Sequence, residues 1–177
     1  MTEVGLDRLW NGWRSAYVQG FNDSPGGDDG QSVFSRILAS GASDEEAHIV
    51  HRGRTCFVIL NAFPYSTGHM LVLPFREFAD LEDATAEETA ELWATVTAGV
   101  RAVKRSHRPH ALNVGINLGA PAGGSIAQHL HVHIVPRWEG DANFMTSVAN
   151  TRTLPEPLDE TAARIRAAWD DNGTENR

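Results

Sequence analysis

The run His129-Leu130-His131-Val132-His133-Ile134-Val135 constrains this chain more than any other stretch. Its strict alternation has the period of a β-strand, in which successive side chains point to opposite faces. Leu130, Val132 and Ile134 are then expected on a core-facing side. His129, His131 and His133 share the other side, about 7 Å apart at a rise of about 3.3–3.4 Å per residue. Three imidazoles in a row pack poorly and are costly to bury, so the row reads as a working site rather than as scaffolding.

Three readings follow from the residues alone. Neutral imidazoles bind metals, but Cys56 is the only cysteine and no His-plus-carboxylate motif supplies further ligands. The imidazoles can instead be satisfied by backbone hydrogen bonds and have no chemistry. The third reading is nucleophilic and acid–base catalysis, with one imidazole attacking while its neighbours orient it or protonate a leaving group. The preceding segment favours this one. Gly119, Gly123 and Gly124 let backbone amides approach a ligand closely, and Ser125 adds a hydroxyl donor. Such donors hold anions, which makes phosphorus the natural electrophile.

The rest of the chain alternates strands and helices in the manner of an α+β fold. A first helix is expected over Asp7–Val18, with Leu9, Trp10, Trp13 and Tyr17 near one face, then a turn-rich, flexible loop over Phe21–Gly30. A short helix follows near Val33–Leu38. Strands are expected at Ala47–His51 and Thr55–Leu60, joined through Arg52-Gly53-Arg54, and at His69–Pro74. Thr85-Ala86-Glu87-Glu88 has the form of a capping box and opens a long amphipathic helix ending near Lys104 and Arg105. Two strands, Ala111–Leu118 and His129–Pro136, a weaker one through Phe144–Val148, and a closing helix over Pro157–Trp169 complete the reading.

The 177 residues fit one domain, divided into an N-terminal helix and loop (1–30), a core (31–138) and a C-terminal extension (139–177). A net charge of −8 argues against broad binding to nucleic acid or to an anionic membrane, though not against a phosphate held locally. No stretch approaches the roughly 18 apolar residues of a membrane helix, and the N-terminus lacks the basic and apolar regions of a signal peptide. A cytoplasmic location is the expectation. Cys56, inside an apolar run, reads as a buried small hydrophobe.

With φ apolar, the histidine run has the form His-φ-His-φ-His-φ-φ and resembles the signature of the histidine triad family. Two further elements agree: Leu60-Asn61-Ala62-Phe63-Pro64 followed by Gly68-His69-Met70-Leu71-Val72, and Asn113-Val114-Gly115-Ile116-Asn117. Together they span Phe34 to about Trp138. Ala122-Gly123-Gly124-Ser125, Pro136-Arg137-Trp138 and Gly140-Asp141-Ala142-Asn143-Phe144 resemble the branch of bacterial diadenosine-tetraphosphate phosphorylases.

The resemblance implies an α+β fold with a roughly five-stranded antiparallel sheet, a long helix and a C-terminal helix. It implies that His131 attacks the α-phosphorus to form a nucleotidyl-histidine, while His129 and His133 hold oxygens and orient it. By the same resemblance Asn117, Gly124 and Ser125 bind the polyphosphate, Asn61 the ribose, and Ile59 and Leu71 sandwich the base. His69 supports the site from behind or is purely structural; Trp138 walls the phosphate chain or packs as a core aromatic. The implied reactants are an adenine nucleotide and inorganic phosphate, with no cofactor required beyond a divalent cation carried by the substrate. A homodimer, or a dimer of dimers, is implied as well. Water as the second acceptor makes the enzyme a hydrolase releasing AMP, and phosphate makes it a phosphorylase releasing ADP. The alternative outside catalysis is a nucleotide-binding regulatory module. Many members carry a Cys-x-x-Cys zinc pair where this chain has Ser32-Val33-Phe34-Ser35, so no structural zinc is expected.

Overall fold

Residues 30–123, 126–141 and 155–169 are described by the structure, a computed structural model. Five strands, β1 (Ile49–Arg52), β2 (Cys56–Leu60), β3 (Met70–Pro74), β4 (Ala111–Ile116) and β5 (Val132–Arg137), form one antiparallel sheet in the order β1-β2-β3-β5-β4. The helices are α1 (Val33–Ala39), α2 (Ala86–His107) and α3 (Leu158–Ala168). This is the α+β arrangement expected from the sequence. The expected N-terminal helix, most of the acidic loop and the strand over Phe144–Val148 lie outside the described residues.

Every residue of β2 and β3 is buried, because both faces of the sheet centre are covered. That is why these strands read as continuous apolar runs and not as alternating ones. On one face Val58, Leu60, Met70, Val72, Val132 and Ile134 join Leu92, Val96 and Val103 of α2 and Ala162 and Ile165 of α3. On the other, Phe57, Ile59, Leu71 and Leu73 meet Phe34 of α1. Among the described residues this second cluster is the smaller, and the cavity lies on its side of the sheet.

The capping box is present: Thr85 Oγ1 accepts from the Glu88 amide at 3.2 Å, and Glu88 accepts from the Thr85 amide at 2.9 Å. Arg166 of α3 donates to the carbonyls of Ile49 (2.9 Å) and Asp44 (2.8 Å), tying the C-terminal helix to the edge of the sheet.

The histidine run departs from the expected strand. β5 begins only at Val132, so of the three histidines only His133 lies within a strand. The reason is where the backbone finds partners. The Leu130 amide donates to the Phe78 carbonyl at 2.6 Å, outside the ladder, and the sheet register starts with Val132 opposite Val72. The alternation still holds for the core side, since Leu130, Val132 and Ile134 are all buried in the main core. β4 is two residues shorter than expected, and β1 is displaced toward Arg52, with a bulge between Ile49 and His51.

Candidate active site

The sheet register lines up a row of side chains on the α1 side. Ile59 of β2 faces Leu71 of β3, Leu71 faces His133 of β5, and His133 faces Gly115 of β4. The row thus runs from aliphatic through imidazole to bare backbone, and a Cβ on Gly115 would meet nothing within 4 Å. Above it a cavity of about 400 Å³ is walled by Val33, Phe34 and Ile37 of α1, by Ile59 and Leu71, and by Asn61, His131 and His133. Leu158 of α3 and Gly123 also reach it. Ser40, Glu46, His48 and Tyr65 line it too, and a mostly apolar hollow with polar groups in its wall suits a small ligand with a flat apolar part and a polar tail.

His131 is buried at 6% exposure, with Nδ1 2.8 Å from the carbonyl oxygen of His129. A carbonyl only accepts, so Nδ1 carries the proton and the lone pair of the neutral ring lies on Nε2. Burial pushes the His131 pKa below the ordinary imidazole value; the His129 carbonyl works against this and the His129 ring adds to it. The ring is therefore held neutral and available as a nucleophile.

His133 receives the opposite polarity. The Tyr65 amide donates to His69 Nδ1 at 3.1 Å, which leaves the proton of neutral His69 on Nε2. That atom lies 2.9 Å from His133 Nδ1 and donates to it, so neutral His133 carries its own proton on Nε2. The rings of His131 and His133 meet edge to face at 4.9 Å. One offers a lone pair and its neighbour an N–H, the two functions needed to attack at phosphorus and to hold the oxygen that leaves.

His129 is placed differently from the expectation that it holds substrate oxygens. It is fully buried, with Nδ1 2.8 Å from Ser32 Oγ and Nε2 2.9 Å from the Pro74 carbonyl, and it is not part of the cavity wall. Both ring nitrogens are committed, so its service to the site runs through its backbone carbonyl and His131. His69 is likewise buried behind His133 and off the cavity wall. Asn61 lines the cavity and is held by its Oδ1, which accepts from the Phe63 amide at 3.0 Å. Asn117 and Trp138 are half-buried and do not line the cavity, and Gly124 and Ser125 lie outside the described residues.

Sequence reasoning missed Phe34, whose ring stands edge-on to His129 at 5.7 Å, and Glu77, whose carboxylate accepts from the Ser32 amide at 3.0 Å and from the Ser35 hydroxyl. The Ser32-x-x-Ser35 spacing was the available signal. These serines do not suit a zinc ion: their hydroxyls are neutral, and both are already bonded to Glu77 or His129. Among the described residues no three His, Cys, Asp or Glu side chains gather in a way that could hold a metal.

The family model for the HIT domain matches residues 42–140, which contain the sheet and the whole histidine run. The chain belongs to the HIT family. Among relatives of this HIT chain, an AP-4-A phosphorylase of Mycobacterium tuberculosis is 42% identical over 170 residues, covering 93% of this chain and 85% of the relative. An asymmetrical bis(5'-nucleosyl)-tetraphosphatase of Schizosaccharomyces pombe is 32% identical over 95 residues, 54% of this chain and 52% of that one. The solved structure of a zinc-bound histidine triad family protein from Mycobacterium smegmatis superposes with a TM-score of 0.63 at 29% identity, over 78% of this chain and 92% of that one.

Proposed function

We propose that this HIT chain cleaves diadenosine tetraphosphate by phosphorolysis, releasing ADP and ATP through a nucleotidyl-histidine. The observation that carries the chemistry is the opposed polarity of two adjacent imidazoles in the wall of a mostly apolar cavity, a lone pair on His131 Nε2 and an N–H on His133 Nε2. In this reading the adenine lies between the Ile59–Leu71 floor and α1, and Asn61 meets the ribose. The phosphates run over His133 toward the open floor at Gly115. Asn117, Gly124, Ser125 and Trp138 are assigned to the polyphosphate. Attack by His131 expels one nucleotide; phosphate then displaces the nucleotidyl group from the imidazole, and two moderate barriers replace a high one. The likeness to the mycobacterial phosphorylase across most of the chain supports phosphate as the acceptor.

A second reading, hydrolysis with AMP as a product, is favoured by the tetraphosphatase relative. The two separate in one experiment. The protein is incubated with diadenosine tetraphosphate with and without inorganic phosphate, and the products are identified. ADP plus ATP appearing only with phosphate is expected; AMP plus ATP regardless of phosphate makes it a hydrolase. His131→Ala should retain nucleotide binding and lose turnover by about 10³-fold or more, whereas a regulatory binding module has no turnover to lose. A cytoplasmic homodimer completes the proposal, with β4 at the sheet edge carrying the exposed Val114.

A further inference from the structure

Behind the nucleophile lies a hydrogen-bonded chain that no catalytic assignment above uses. Glu77 accepts from the Ser32 amide at 3.0 Å and from the Ser35 hydroxyl. Ser32 Oγ accepts from the Ser35 amide at 3.1 Å, which starts α1, and lies 2.8 Å from His129 Nδ1. The direction of that last bond is determined by the rest of the chain. His129 Nε2 faces the Pro74 carbonyl, which can only accept, so the ring proton sits there and Nδ1 is a lone pair. The Ser32 hydroxyl therefore donates to His129. The Ser35 hydroxyl donates to Glu77, because a carboxylate can only accept.

Ser32 and His129 are both fully buried, and a mere helix cap needs neither the carboxylate nor the imidazole. The segment His129–His131 lies outside the strand ladder, and the side-chain bonds of His129 act beside the Leu130–Phe78 backbone bond in fixing its position. Its carbonyl at His129 is what holds the His131 ring. The same carboxylate anchors the start of α1, whose Phe34 stands 5.9 Å from the His131 ring. We propose that Glu77 is a positioning residue for His131, acting through Ser35, Ser32 and His129 on the carbonyl that orients the nucleophilic ring. Burial works against ionisation of Glu77, but the Ser35 hydroxyl and the Ser32 amide outweigh it and hold the pKa below the usual carboxylate value. The chain therefore ends on a fixed acceptor.

The consequence is that one anion is tied both to the start of α1 and, through Ser32 and His129, to the His131 ring. The catalytic part of this proposal rests on the nucleotidyl-transfer reading; the positional part does not. Its test is Glu77→Gln, nearly equal in size but replacing one acceptor oxygen with an NH₂ that faces the Ser32 amide, together with Ser32→Ala and Ser32→Thr. Turnover of diadenosine tetraphosphate with phosphate is measured beside ¹⁵N NMR of the histidines in the unliganded protein. In E77Q and S32A we expect kcat to fall about tenfold to a hundredfold with KM within about twofold, since misorientation of a reacting group costs rate more than binding. S32T, which keeps the hydroxyl, should return kcat to within about threefold of the parent. The nitrogen shifts should report His131 as a single Nδ1–H tautomer in the parent and as a tautomer mixture in E77Q. A fixed His131 tautomer in E77Q, with kcat within about twofold of the parent, overturns the proposal. If the parent protein turns over none of the substrate, the functional reading falls, while the nitrogen shifts still decide the positional one. Should E77Q not fold, Ser35→Ala removes only the hydroxyl that meets Glu77, and the same shifts decide.

Discussion

An imidazole serves as a nucleophile only while neutral, so under the proposed mechanism the surroundings of His131 set the working range of pH. Burial lowers its pKa below 6.5, and the neutral form therefore persists further into acid than for a free histidine. With chemistry limiting, the rate is expected to be level from about pH 7 to about pH 8 and to fall in acid with a midpoint below 6.5. A pH–rate profile with a midpoint at or above the free-histidine value would count against a buried nucleophile. The same shift has a consequence for stability. The unfolded chain binds protons at these histidines more readily than the folded one, so their contribution is complete above the unfolded value and is lost as pH falls through the folded one. His129, also lowered by burial, adds in the same direction. These two rings face different ways despite their shared alternation: His131 meets the cavity, His129 the Ser32 hydroxyl.

Helix α2 forms because Thr85 and Glu88 cap each other and because Leu92, Val96 and Val103 fall on one side of it, all buried. Arg76 grips the Glu88 carboxylate with two nitrogens, at 3.0 and 2.8 Å, and with the Thr85 amide holds its pKa at about 2. Thr85→Ala is expected to cost about 1 kcal/mol, seen as a lower urea midpoint with an unchanged slope. Because the Glu88 pKa is depressed, its contribution is present above pH 4.5 and lost as pH falls toward 2. Abolishing that part of the acid dependence by Glu88→Gln, measured in urea titrations at several pH values, checks the assignment. The turn between β1 and β2 shows a comparable device. Glu91 of α2 accepts from the amides of Arg54 (2.6 Å) and Thr55 (2.9 Å), and any side chain at Gly53 would collide with it. A hairpin readable from Arg52-Gly53-Arg54 is thus locked by a helix residue 37 positions away.

The molecule closes through α3. Arg166 reaches two backbone carbonyls at the β1 edge, Arg105 of α2 donates to the Ala168 carbonyl, and Arg164 donates to the Ser106 carbonyl. Leu158, at the start of this helix, lines the cavity. The contacts that hold the C-terminal helix and the wall of the cavity therefore meet on one element. Arg166→Ala leaves two carbonyls without their charged donor and is expected to cost about 1–3 kcal/mol. It should also raise KM for the nucleotide more than it lowers kcat, because Leu158 touches the cavity wall and not the imidazoles. Urea unfolding and steady-state kinetics on the same variant check both; an unchanged KM beside a clear loss of stability separates the helix from the site.

Periodicity, capping and the histidine spacing are local properties, and they were legible in order along the chain. Leu130, Val132 and Ile134 entered the core as their alternation predicts, the capping box formed at Thr85, and the strands at Cys56–Leu60 and Met70–Pro74 lie inside the apolar runs that announce them. The presence of a histidine cluster was equally plain. What each imidazole does was not, because a proton's place on a ring depends on which donor or acceptor the fold brings to the other nitrogen. His131 obtains the carbonyl of its neighbour, His133 obtains His69 from 64 residues away, and His129 obtains Ser32 from 97 residues away. Glu77 left no mark in the sequence, since a lone carboxylate has no period. Only the packing of α1 over the sheet turns it into the anchor of the site.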